Sequence, residues 1–271
     1  MALEVINMTP RIGSEIKTDV DTLLSGREAK AIREILEQRG VVFFRGLNIN
    51  DEQQVAIAKT LGQIVQGEGE GGIYKISLDQ KVNARADYLK GSLFWHFDGS
   101  LQPYPNLAAL LRAIKLSDVG GQTEFCNTYA AYDDLPPAEK AAIDNLRVVH
   151  SAERSQYYVR PEMSYEEIAF WQKSPTKNIP LVWVHQSGRK SLLLGATADY
   201  VVGKSVEESR ALLARLRDWA TQPQFVYRHE WQVGDLLMWS NTGTMHRALP
   251  YALDSGRLMH RTILAGEEPL N

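Results

Sequence analysis

The sequence predicts a mainly β protein with flanking helices, a β-sandwich or barrel in preference to a doubly wound fold. Three observations carry this expectation. Short apolar or alternating runs recur at close spacing through the middle and end of the chain. Helical patterns sit early and between those runs, and no glycine fingerprint for a nucleotide follows any strand. With 271 residues and no internal repeat, low-complexity tract or linker, the chain reads as one domain, 1–271.

Residues 3–6 alternate weakly and stop at Pro10, a first short strand. Over 19–38, Val20, Leu23, Leu24, Ile32, Ile35 and Leu36 fall at helical spacing, and Gly40 ends one packing helix. Val41-Val42-Phe43-Phe44 is a buried strand, after which Asn50-Asp51-Glu52 caps a helix carrying Val55, Ile57, Ala58 and Leu61. The glycine-rich stretch 67–72 is too flexible for an element interior and too acidic to cradle a phosphate, so it reads as a mobile loop at a pocket mouth. Residues 74–78 form a strand and 82–93 a polar connection. The apolar run 107–116 is a core strand, and Gly120-Gly121 turns the chain into another at 122–127. Prolines and acids over 133–139 start a helix that ends near Leu146, ahead of Val148-Val149-His150. Residues 151–180 show no sustained period and read as an insertion or lid. Strands at 181–185 and 191–194 flank the turn Ser187-Gly188-Arg189. The helix at 206–221 buries Leu212, Leu213, Leu216 and Trp219. Residues 225–231 alternate, turn at Val233-Gly234-Asp235 and return at 236–239 as a hairpin, and 257–264 is the last strand.

A hydrophobic fraction of 44%, a charged fraction of 23% and a net charge of −3 give no footprint for nucleic acid or an anionic membrane. One cysteine, Cys126, excludes an internal disulfide and a thiolate-rich metal site. No window reaches the length of a membrane span, and the N-terminus lacks a basic segment followed by an apolar run, so a cytoplasmic protein is expected. A homo-oligomer of two or more copies is expected too.

The chemistry centres on Trp95-His96-Phe97-Asp98. In an extended segment side chains alternate, so His96 and Asp98 point the same way and can take adjacent corners of one ion. Each of the six histidines has an ordinary reading as a hydrogen-bonded or surface residue, and a lone His-X-Asp triplet is weak. His246, in Met245-His246-Arg247, offers a third ligand, and two imidazoles with one carboxylate suit non-haem Fe(II) oxygenases, or zinc. Arg257 and Arg261 share a strand face and supply guanidinium forks for an oxo acid that chelates the metal.

The chain resembles the Fe(II)/2-oxoglutarate-dependent dioxygenases of the TauD/TfdA family. The likeness is carried by Trp95-His96-Phe97-Asp98, Gly120-Gly121-Gln122-Thr123-Glu124-Phe125, Asp235 to Trp239 with His246-Arg247, and Arg257 with Arg261. The resemblance implies a double-stranded β-helix, or jelly-roll, core and a reaction coupling decarboxylation of 2-oxoglutarate to hydroxylation, with Fe(II) and O2. It makes His96, Asp98 and His246 the iron ligands, and Thr123 and Arg257 the holders of the distal carboxylate of 2-oxoglutarate. Arg261 stands near the bound acids. The segments 221–227 and 189–192 look closer to the phenoxyacetate than to the taurine branch, so a small-molecule carboxylate, aryloxyalkanoate-like, is expected. Arg261, Tyr74, Lys75, Arg85 and Lys90 are its candidate anchors. An alkyl sulfate or sulfonate substrate, a ligand-binding jelly roll without catalysis and a zinc hydrolase are the competing readings.

Overall fold

The β-branched and aromatic runs pair into two sheets that face each other across the core, with a second three-stranded sheet and a two-stranded one outside them. In the computed structural model, which describes residues 3–67 and 69–270, the larger sheet has seven strands. Their order is Glu4–Asn7, Ser14–Lys17, Val41–Phe44, Leu236–Ser240, Ala108–Lys115, Leu258–Leu264 and Tyr74–Ile76. The smaller sheet has three, Val226–His229, Thr123–Asn127 and Thr244–Ala248. Every pairing is antiparallel except that of Ser14–Lys17 with Val41–Phe44.

Side-chain alternation explains the layers. Val41, Phe43, Leu237 and Trp239 point between the sheets, where they meet Phe125 and Tyr227 of the smaller one. Their neighbours Val42, Phe44 and Met238 point outward onto Ile32, Leu36, Ile57 and Leu61 of the helices Ala29–Arg39 and Asp51–Leu61. The smaller sheet rests its other face, through Cys126 and Met245, on a cluster that includes Leu213 and Leu216 of Val206–Ala220. Capping boxes at Asn50/Gln53 and Ser205/Glu208 start two of these helices, each cap contributing about 1 kcal/mol.

Four expectations change. The fold is mixed α/β, with more residues in helices than in strands, where a mainly β chain was expected. Part of the excess lies in 151–180, which forms helices Ala152–Val159 and Tyr165–Trp171 and a strand Lys177–Pro180; these helices are too short to show a period. The helix read over 19–38 is two, Val20–Ser25 and Ala29–Arg39, because Gly26 at φ 68° closes the first. The helix read from 133–139 to near Leu146 runs Pro137–Ile143 after extended Pro136, and the strand read over 122–127 leads into it through a further helix, Thr128–Asp133, that was not expected.

The fourth change concerns the hairpin read over 225–239. Its two arms belong to different sheets: Val226–His229 pairs with Thr123–Asn127, and Leu236–Ser240 lies between Val41–Phe44 and Ala108–Lys115. The corner is held by buried Asp235, which accepts from the Gln232 amide at 2.8 Å, sits 3.2 Å from His229 Nε2 and pairs with Arg45. Of the loop at 67–72, Glu68 lies outside the described residues. Among the described residues no helix is long and apolar enough to cross a membrane.

His150 and His185 are enclosed, and burial pushes their pKa down to about 3 and about 4, helped by the charges of Lys177 and Arg189. Unfolded imidazoles take up protons below pH about 6.5. Between that value and the depressed ones the unfolded chain binds more protons, so stability falls with falling pH. The Tm of the apoprotein is expected to drop between pH 7 and 5; a Tm that holds or rises across that window would refute neutral imidazoles.

Candidate active site

His246 lies in the middle of Thr244–Ala248, opposite Phe125. His96 meets it through an isolated antiparallel bridge, with the His96 amide donating to the His246 carbonyl at 3.0 Å and the His246 amide to the His96 carbonyl at 2.8 Å. The backbone thus places two imidazoles 4.2 Å apart, centroid to centroid, across 150 residues of sequence. Asp98 follows in a turn that Gly99 makes at φ 86°, and its amide donates to Asn241 Oδ1 at 3.2 Å. Asp98 Oδ1 is 3.8 Å from His96 Nε2, and Oδ2 is 3.9 Å from His246 Nε2. One ligand atom from each residue falls within 4.8 Å of the others.

Protonation suits a cation. His96 Nδ1 is 2.8 Å from the Phe94 carbonyl, which only accepts, so Nδ1 carries the proton and Nε2 keeps its lone pair for a metal. Burial, and then His96, pushes the His246 pKa well below its usual value and leaves that ring neutral. Burial is the largest single influence on Asp98 and would raise it, but the Arg261 guanidinium 3.4 Å away, together with His246 and His96, outweighs burial and holds its carboxyl below the usual range.

A cavity of about 490 Å3 opens in front of these three residues. Thr123 and Arg257 lie on its wall. Arg257 is 3% exposed, donates from Nη2 to the Gly121 carbonyl at 3.0 Å, and stacks over Tyr251 at 4.8 Å. Its Nε is buried without a hydrogen-bond partner, a donor that an anion in the cavity would satisfy. Thr123 Oγ1 accepts from Trp231 Nε1 at 3.0 Å, which leaves the hydroxyl proton to be donated elsewhere. The donor set therefore fits a carboxylate at one end of the cavity and a divalent metal on the two imidazoles and Asp98.

Glycine is required where Arg257 crosses Gly120-Gly121. Gly121 has φ 79°, and a Cβ there would lie 2.9 Å from Arg257 Nε. Gly121→Ala is expected to displace the guanidinium and raise the KM for 2-oxoglutarate about tenfold, for a loss of about 1.4 kcal/mol. An unchanged KM would show that Arg257 keeps its place or that the oxo acid is held elsewhere.

The other singled-out residues divide. Tyr74, Arg85 and Arg261 line the cavity, with Arg261 stacked over Tyr74 at 5.3 Å. Lys75, one step along the strand from Tyr74, is exposed, as alternation requires. Lys90 pairs with Asp87 at 2.6 Å and borders a neighbouring depression. Sequence reasoning passed over Tyr88, which lines the cavity beneath the Arg85 guanidinium at 4.7 Å, and the Trp231 indole behind Thr123. It also passed over Gly195, where a Cβ would lie 3.0 Å from His96 Cα; its signal was a glycine ending the buried run Leu192-Leu193-Leu194.

Two facing sheets with two imidazoles and a carboxylate gathered on one strand and the segment bridged to it, beside an open, arginine-walled cavity, are the arrangement of a mononuclear non-haem iron oxygenase. The chain belongs to the TauD/TfdA dioxygenase family: residues 4–263 match the family model described as "Taurine catabolism dioxygenase TauD, TfdA family". It is 37% identical to an alpha-ketoglutarate-dependent 2,4-dichlorophenoxyacetate dioxygenase of Burkholderia sp. (strain RASC), over 90% of this chain and 87% of that protein. It is 31% identical to an alpha-ketoglutarate-dependent sulfate ester dioxygenase of Pseudomonas putida, over 100% of this chain and 92% of that one. The crystal structure of AAD-2 in complex with Mn(II) and N-oxalylglycine is similar over the whole of both chains, with a TM-score of 0.86 and 33% identity. The protein is a 2-oxoglutarate-dependent Fe(II) dioxygenase acting on a small molecule.

Proposed function

We propose that this dioxygenase hydroxylates a small or medium organic acid, an aryloxyalkanoate-like carboxylate. The observation that carries this reading is Arg261: a half-buried guanidinium 3.4 Å from Asp98, on a cavity whose walls include Tyr74 and Tyr88. A cation held beside the reacting centre orients an anion, and the rings accept an aryl group. In this reading His96, Asp98 and His246 hold the iron, Thr123 and Arg257 the distal carboxylate of 2-oxoglutarate, and Arg261 the substrate carboxylate, with Arg85 at the mouth. The chain is a single jelly-roll domain, and 151–180 is a lid beside the cavity, to which Ala152, Ser155 and Gln156 contribute lining.

Bound Fe(II), with 2-oxoglutarate as the reductant, supplies O2 activation and oxidation of a C–H bond. The chain's own residues position and enclose. Trp231 fixes the Thr123 hydroxyl so that its proton points to the oxo acid, Arg257 supplies the matching charge, and Arg261 sets which carbon of the acid faces the ligands. Burial of these donors away from water strengthens each contact. Hydroxylation of the carbon between the ether oxygen and the carboxylate gives a hemiacetal. This collapses to an aldehyde acid and a phenol.

A second reading keeps the chemistry and takes an alkyl sulfate, in line with the Pseudomonas putida relative. The test is protein loaded anaerobically with Fe(II) and 2-oxoglutarate, exposed to O2 and a panel of aryloxy acids and alkyl sulfates. Succinate formation matched by phenol release is expected. Succinate only with the sulfates, with sulfate released, would favour the second reading, and none with either class would overturn both.

A further inference from the structure

Behind the cavity wall three side chains are strung in a line that the reaction described above does not use. His150, on the strand Arg147–His150, is fully buried, and its Nδ1 lies 2.8 Å from Thr197 Oγ1. Thr197 Oγ1 donates to Ser100 Oγ at 3.1 Å. Thr197 and Ser100 both line the cavity. Because the Thr197 proton is spent on Ser100, Thr197 must accept from His150, so the imidazole carries its proton on Nδ1. His150 Nε2, buried without a partner, is then a bare lone pair, as a neutral ring with one proton requires. Burial keeps the ring neutral down to acid pH, its pKa falling to about 3. Ser100 accepts from Thr197, and among the described residues no acceptor takes its own proton.

The line therefore has one direction, from imidazole to threonine to serine, and it ends on an O–H at the cavity. Ser100 stands two residues beyond Asp98, in a turn that cannot shift freely: a Cβ on Gly99 would lie 2.8 Å from the Asn106 amide nitrogen. We propose that Ser100 donates a hydrogen bond to an acceptor oxygen of the substrate, with Thr197 and His150 as positioning residues that keep it a donor. This rests on the acid-substrate reading, since Arg261 must anchor the carboxylate for the rest of the molecule to lie along this wall. A donor cut off from water by bound substrate costs free energy unless the ligand brings a lone pair. An ether acid brings one at the atom next to the carbon attacked, and its carba analogue does not.

The test uses phenoxyacetate and 3-phenylpropionate, which differ by oxygen against methylene. Their dissociation constants are measured by anaerobic titration of the full chain loaded with Fe(II) and 2-oxoglutarate, so C–H reactivity plays no part. Wild type is expected to bind the ether acid about 3- to 10-fold more tightly, the worth of one neutral hydrogen bond. That ratio is expected to fall to about one in Ser100→Ala and to drop partway in Thr197→Val. In Thr197→Ser, which keeps the line intact, it is expected to stay. A wild-type ratio of one overturns the proposal without any variant, as does a ratio unchanged in Ser100→Ala. If neither acid binds wild type while 2-oxoglutarate does, the acid-substrate reading has failed and this inference falls with it.

Discussion

Replacing His246 with alanine is expected to abolish succinate formation, by about 10³-fold or more, because several kcal/mol of metal-centred stabilisation disappear with the third ligand. The three candidate ligand atoms lie within 4.8 Å of one another, a set that leaves half an octahedron for the oxo acid and O2. Two protein ligands hold a divalent ion poorly at neutral pH. The fold is expected to survive, since alanine keeps the amide and carbonyl that bridge to His96. The lost contacts with Trp239 and Phe125 lower the Tm by a few degrees at most. Calorimetric titration with Mn(II) and a succinate assay read the two effects separately. Turnover within tenfold of wild type would remove His246 from the ligand set.

Arg257→Gln is expected to raise the dissociation constant for 2-oxoglutarate about 10- to 100-fold, the 1.5–3 kcal/mol of a hydrogen bond to a charged group. Arg257 is nearly enclosed, and its Nε has no other partner. Arg257→Lys is not expected to rescue, because an ammonium is a single point charge where the guanidinium offers a fork. The measurement is titration of 2-oxoglutarate into Mn(II)-loaded protein. An affinity within threefold of wild type would show that the distal carboxylate is held elsewhere.

The candidate ligands were legible in the sequence because the reason for their pattern is local: His96 and Asp98 converge through extended alternation and one glycine turn. Arg257 and Thr123 were legible through the likeness of whole motifs to a family. What stayed hidden was the placement that only the third dimension decides. The arms at 226–229 and 236–240 look like a hairpin by period and turn, yet Asp235 anchors a corner that sends them to opposite sheets. Lys75 and Lys90 were candidate anchors on charge alone, and one sits on the wrong face of its strand while the other is taken by Asp87. His150 was one of six histidines with nothing to mark it. Its importance comes from Thr197 and Ser100, 47 and 50 positions away in sequence.

The reciprocal backbone bridge between His96 and His246 makes those two amides reporters. Each is protected from solvent hydrogen exchange by the same pair of bonds, so neither exchanges until the two segments part. A metal held by both side chains ties the segments together a second time, and parting them then requires its release. Exchange at both amides is expected to slow together, about 100-fold when free metal stands at 100 times its Kd. Occupancy of the centre can thus be followed by isotope exchange, in the absence of O2, substrate or turnover.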